Sequence, residues 1–172
     1  MEQTRNQTVY WTQLIHDQWK MYMAATAKGL VFVGSQEGSF EELEKWVVKR
    51  LPKHTLQQND LIMVDFTTQF REYFLGGRTE FTLQVDLLGT DFQQAVWKEL
   101  AAIPHGDTHS YSTIADRINK PQAVRAVGTA IGANPLLIVI PCHRVIGKNG
   151  SLTGFRGGLE MKAGLLRLEK GG

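Results

Sequence analysis

An α+β N-terminal domain followed by a mainly α, winged-helix or helix-turn-helix-like C-terminal domain is the fold class this sequence predicts, and three observations carry it. Short apolar runs alternate with amphipathic helical patterns in the first half. In the second half two short helical patterns meet over a tight turn, as in helix-turn-helix units. Charge changes sign between the halves: residues 1–86 hold nine Lys and Arg against eleven Asp and Glu, and residues 87–172 hold ten against six. With 172 residues, 42% of them hydrophobic, and five prolines, the chain can bury one or two small cores. We set the domains at 1–86, mainly structural, and 87–172. Residues 1–10 are polar, and no apolar run approaches the roughly 20 residues needed to cross a bilayer, so a cytosolic protein is expected.

In the first domain, residues 20–26 and 30–34 are apolar runs joined by Ala27, Lys28 and Gly29, the pattern of a hairpin. Ser39 with Glu42 three residues later marks a capping box for an amphipathic helix through Arg50, closed by Pro52. A second helix is expected over 63–75, ended by Gly76 and Gly77. Residues 80–89 should carry a strand and then the link into the second domain.

There, Thr90 with Gln93 forms another capping box, and Phe92, Val96 and Leu100 share one face of a helix stopped by Pro104. Residues 112–118 and 121–131 read as the two short helices, separated by Asn119 and Lys120, with Pro121 suited to a first helical position. Ala123, Ala126, Gly128, Ala130 and Gly132 leave the second of them with little bulk, so its backbone can approach another surface closely; Arg125 is its one long polar arm. A small-residue helix packed in the core explains that spacing equally well. Asn134-Pro135 ends the helix, and LLIVI at 136–140 reads as a buried strand. Pro141-Cys142-His143-Arg144 follows, then a loop punctuated by Gly147, Gly150, Gly154, Gly157 and Gly158, and a final helix over 159–169.

Two features carry chemistry. Between Arg117 and Leu159 stand Arg117, Lys120, Arg125, Arg144, Lys148 and Arg156 without one acid, which suits a polyanion, although a solvated basic face would look the same. The second is Cys142, the single cysteine, which excludes an internal disulfide and a cysteine-rich zinc cage. A thiol of pKa roughly 8.5 is mostly protonated at neutral pH, so nucleophilic work needs a base. His143 is the candidate base, directly or through one water, and Glu169 the candidate carboxylate behind it. A small buried residue beside an unrelated histidine is the bland alternative.

Over residues 90–169 the chain resembles the O6-alkylguanine-DNA alkyltransferases, the methylated-DNA-protein-cysteine methyltransferases. IPCHRVIG at 140–147 is similar to that family's active-site signature, Asn134-Pro135 to its hinge, AVRAVG at 123–128 to its recognition helix and Ser110-Tyr111 to the start of its first short helix. VFVG at 31–34 resembles the N-terminal domain, which implies a ribonuclease-H-like layout there. The resemblance implies direct repair of double-stranded DNA containing O6-alkylguanine, and O4-alkylthymine with it, by a monomer needing no cofactor. The alkyl group passes irreversibly to Cys142, once per molecule. Asn134, His143, Glu169, Tyr111 and Lys162 would be the catalytic partners, Tyr111 and Lys162 helping to protonate the departing base. The helix-turn-helix would enter the minor groove with Ala123, Ala126, Val127 and Gly128 against it, Arg125 filling the stack and Tyr111 pressing on the 3′ phosphate as the base turns out. Val145, Phe155, Arg156, Ile131 and Pro141 would line the pocket. Phe155 stands where the family often has tyrosine, which implies altered tolerance of bulky alkyl groups. Some members bind zinc through N-terminal cysteines; with none here, no metal is expected. A non-catalytic damage-binding module and a cysteine hydrolase are the alternatives, distinguished by whether Cys142 is modified once, never, or turned over.

Overall fold

A computed structural model describes residues 7–171. Part of the polar start, residues 1–6, and Gly172 lie outside the described residues. The chain divides into two compact units, Met1–Leu88 and Gly89–Gly172.

The first unit is built on a four-stranded sheet of β1 (Thr8–His16), β2 (Trp19–Thr26), β3 (Gly29–Val33) and β4 (Thr55–Gln58), in the order β3-β2-β1-β4. β1 and β2 pair antiparallel from Tyr10 with Ala25 to His16 with Trp19, β2 and β3 form the expected hairpin, and β4 lies parallel to β1. Gly29 turns that hairpin at φ 140°, and a Cβ there would stand 2.5 Å from the Gln84 carbonyl oxygen, so only glycine lets residues 84–86 reach the edge. The strand expected over 80–89 reduces to this contact: Leu30 N–H donates to Gln84 (2.9 Å), Asp86 N–H donates to Leu30 (2.8 Å), and one bridge joins Leu30 to Val85. Its neighbour Thr82 gives its N–H to the Gln69 side chain (3.0 Å) instead of to a strand.

α1 (Phe40–Arg50) lays Leu43 and Val47 on Val9, Ala24, Val31 and Phe32 of the sheet. Ser39 is its N-cap residue, but the expected capping box is absent. Glu42 instead accepts from the backbone N–H (2.7 Å) and the hydroxyl (2.5 Å) of Ser35, tying the strand exit to the helix. α2 (Val64–Phe74) stacks Phe74 on Trp19 at 4.8 Å.

In the second unit α3 (Asp91–Ala101) starts on the complete Thr90–Gln93 capping box and buries Val96, Trp97 and Leu100; Phe92 stays half-exposed. The Trp97 indole N–H donates to the Ala130 carbonyl (2.8 Å), joining α3 to α5 (Val124–Gly132). α4 (Tyr111–Arg117) follows the two-residue β5 (His109–Ser110), which pairs parallel with β6 (Val145–Ile146). Asn119 takes φ 61° at the turn between α4 and α5, a conformation asparagine tolerates. α5 begins three residues later than expected: Ala123 N–H bonds back to Lys120 (2.9 Å), so Pro121 belongs to the turn and not to the first helical position. α6 (Leu159–Glu169) closes the unit.

Residues 136–140 are no strand. They form a buried chain of tight turns, with Val139 N–H on Leu137 (2.9 Å), Ile140 N–H on Leu136 (2.9 Å) and Ile138 at φ 75°. Asn134 pairs the Leu136 N–H and the Ile140 carbonyl at the two ends of this run, and turns within the run pair Val139 and Ile140.

Candidate functional site

Asn134 is buried at 1% exposure, and both ends of its amide are used. Its Oδ1 accepts from Leu136 N–H (2.9 Å), while Nδ2 donates to the Ile140 carbonyl (2.8 Å) and reaches the Cys142 Sγ at 3.2 Å. The amide therefore pins both ends of the turn and holds Cys142, two residues beyond it, at a fixed point. Cys142 opens a single 3-10 turn, Cys142–Arg144, and is itself 3% exposed. Burial pushes its thiol above the ordinary range; the Asn134 bond and the positive charges of Arg156 and Lys162 oppose that without overcoming it. The resting group is a neutral thiol.

Behind the cysteine lies a buried ion network. His143 Nε2 is 2.7 Å from Glu169 Oε2, with the two side chains 0% and 1% exposed. An ionised carboxylate only accepts, so Nε2 carries the hydrogen and Nδ1 keeps its lone pair. Nδ1 is buried and has no hydrogen-bond partner among the described residues. Burial holds the imidazole below its ordinary pKa, Glu169 pulls it up, and Arg144 and Lys162 add to the lowering, so His143 is neutral and can take a proton at physiological pH.

Arg144 is the residue that sequence reasoning misassigned. Expected as part of a basic face, it is 6% exposed: Nε donates to Glu169 Oε1 (2.7 Å), Nη2 to Oε2 (2.9 Å), and Nη1 to the Ile103 carbonyl (2.6 Å). Its flanks, Ile140, Pro141, Val145 and Ile146, were the available signal, since an arginine amid apolar neighbours needs a buried carboxylate. Arg156 is also turned inward, its guanidinium on the Asn134 (3.2 Å) and Pro135 (3.3 Å) carbonyls. Four of the six basic residues, Arg117, Lys120, Arg125 and Lys148, remain exposed.

Lys162 is wholly buried; its Nζ donates to the Thr153 carbonyl (3.1 Å), and desolvation lowers its pKa. The Thr153 hydroxyl lies 2.6 Å from the Tyr111 hydroxyl. Tyr111, Thr153 and Lys162 thus form one connected group. Of the expected pocket residues, Val145, Pro141 and Ile131 are buried and Phe155 is half-exposed.

α5 presents Arg125, Ala126 and Thr129 to solvent, with Ala123 and Gly128 partly covered. Val127 does not belong to that face. It is 0% exposed and packs into the core, a correction to its expected place on a binding surface. A groove of about 630 Å³ runs along this side of α5, lined by Phe92, Gln93, Gln122, Ala123, Arg125 and Ala126 among others.

Comparison with known proteins agrees along the whole chain. The family described as 6-O-methylguanine DNA methyltransferase, ribonuclease-like domain, matches residues 9–87, and 6-O-methylguanine DNA methyltransferase, DNA binding domain, matches residues 91–171. An inducible methylated-DNA–protein-cysteine methyltransferase of Bacillus subtilis is 55% identical over 98% of this chain and 94% of its own. The Mycobacterium tuberculosis O6-methylguanine methyltransferase superposes with a TM-score of 0.79 at 40% identity, covering 95% and 93% of the two chains. The M. tuberculosis protein in complex with DNA superposes at 0.78 and 39% identity, covering 94% and 93%.

Proposed function

We infer the reaction from kinship and geometry together: the chain belongs to the 6-O-methylguanine DNA methyltransferase family, and it is a DNA-repair enzyme that transfers an alkyl group from DNA to cysteine. The acceptor is Cys142, because the chain has one cysteine. The observation that carries this reading is the buried set Asn134, Cys142, His143 and Glu169, in which Asn134 holds a neutral thiol and Glu169 fixes the proton-bearing nitrogen of the neutral imidazole on the next residue.

The substrate is O6-alkylguanine, with O4-alkylthymine, in double-stranded DNA. Arg125 and Ala126 on α5 meet the minor groove, and Arg125 fills the stack when the damaged base turns out. Tyr111 presses on the neighbouring phosphate. The thiol proton passes to His143 Nδ1 through one water while Sγ attacks the alkyl carbon in line. One S–C bond forms, one C–O6 bond breaks, and the departing guanine takes a proton at N3 from Tyr111, aided by Lys162. The product is a thioether without a hydrolysable bond, so each molecule acts once, as a monomer in the cytosol. Among the described residues no helix is long and apolar enough to cross a membrane.

Mixing the protein with duplex DNA carrying O6-methylguanine and weighing it afterwards tests the assignment. One methyl group on Cys142 per molecule, absent in Cys142→Ser, is the expected result; unmodified protein, or many lesions repaired per molecule, overturns it.

A further inference from the structure

We propose that Thr153 is a positioning residue for Tyr111: its hydroxyl donates to the tyrosine oxygen and so turns the tyrosine's own O–H toward the base being released. The proposal rests on the reading above, in which Tyr111 supplies that proton.

A phenol ring locked in place does not lock its hydrogen, because rotation about the C–O bond remains free. The Tyr111 ring is bounded on one side by α5, where a Cβ built on Gly128 would stand 3.8 Å from the ring. Its hydroxyl has a partner 2.6 Å away in Thr153 Oγ1, a pair in which either oxygen can be the donor. If tyrosine donates, its hydrogen points at the loop and is lost to the substrate. If threonine donates, the tyrosine hydrogen points away from the loop, and the oxygen that accepts a bond becomes a better donor itself. Only the second arrangement serves proton delivery.

Thr153 is itself anchored. It lies in the glycine-punctuated segment between β6 and α6, and its carbonyl accepts from the buried Lys162 Nζ at 3.1 Å. Lys162 therefore acts on Tyr111 through Thr153: the ammonium fixes the threonine backbone, and the threonine side chain fixes the phenol. One residue in a loop otherwise rich in glycine links the two groups assigned to the leaving base.

The test is a cycle of Thr153→Val, Thr153→Ser, Tyr111→Phe and the Tyr111→Phe/Thr153→Val pair, read as single-turnover transfer at saturating DNA. DNA dissociation constants are measured beside it in a Cys142→Ser background, with Thr153→Ala as a second truncation. Losing one neutral hydrogen bond should slow Thr153→Val about tenfold with the dissociation constant unchanged, Thr153→Ser should restore most of the rate, and Thr153→Val should cost nothing further once Tyr111 is phenylalanine. Wild-type rate in Thr153→Val, or the same loss persisting in the Tyr111→Phe background, overturns the proposal while leaving the role of Tyr111 intact. Wild-type rate in Tyr111→Phe alone overturns that role and the proposal with it.

Discussion

Replacing Glu169 by glutamine keeps the shape of the buried network and removes its only negative charge. Three donors converge on that carboxylate, His143 Nε2 at 2.7 Å and Arg144 Nε and Nη2 at 2.7 and 2.9 Å, with Glu169 1% and Arg144 8% exposed at their side chains. An amide offers one oxygen, so one donor at least faces an NH₂ group, and the guanidinium is left buried without a counter-charge. Removing one partner of such a pair costs about 3–5 kcal/mol. At roughly 4–8 °C per kcal/mol for a small domain, the lower figure alone lowers the melting temperature of the C-terminal unit by some 12–24 °C. The rate should fall separately, because His143 loses the group that fixes its tautomer; a general base in the wrong form forfeits on the order of 10²-fold. Calorimetry and quenched-flow transfer at 15 °C, where the variant is still folded, read the two effects independently. A melting temperature within 2 °C of wild type would refute the claim that the guanidinium depends on this carboxylate, and an unchanged rate would refute the role of Glu169 behind His143.

Because His143 is held below its ordinary pKa of 6.5 by burial, transfer should stay level from neutral pH down through 6.5 and decline only once the folded-state imidazole protonates, as a stopped-flow pH profile would record. The sign for stability follows: below 6.5 the unfolded chain binds a proton that the native site refuses, so chemical denaturation should show stability falling as pH drops through that value. Asn134→Ala strands the Leu136 N–H and the Ile140 carbonyl and removes the donor to Cys142 Sγ. It should destabilise by about 2–4 kcal/mol in urea titrations and raise the thiol pKa further, read by thiol ultraviolet absorbance.

How much of this was legible in the chain varies with the kind of force involved. α3 and α6 carried local signals and lie where expected, α3 on its capping box and α6 over 159–169, where Met161 and Leu165 are buried beside Lys162 and Glu169. The β2–β3 hairpin was visible for the same reason. β1 and β4 were not, because Thr12, Gln13, Gln57 and Gln58 dilute the alternation, and β4 is an edge strand with little to bury. The misreading at 136–140 has a different cause: periodicity reports where apolar groups lie, not which partners pair with their backbone, and Asn134 accepts from the Leu136 N–H and donates to the Ile140 carbonyl six residues on. For Arg144 the apolar flanks signal burial, but its partner Glu169 lies 25 positions away and no local pattern names it. His143 with Glu169, by contrast, came from resemblance and the logic of orienting a base, and the two are hydrogen-bonded at 2.7 Å.

A group that can be spent only once has to survive storage. Thiols are lost to oxidants and stray electrophiles as thiolates, in proportion to exposure and to the ionised fraction. Cys142 is kept almost sealed, and burial keeps its thiol protonated at rest. Burial thus makes the thiol a reserve: each chain holds one cysteine, the supply is counted in molecules, and a sealed, protonated sulfur offers oxidants and stray electrophiles little to attack.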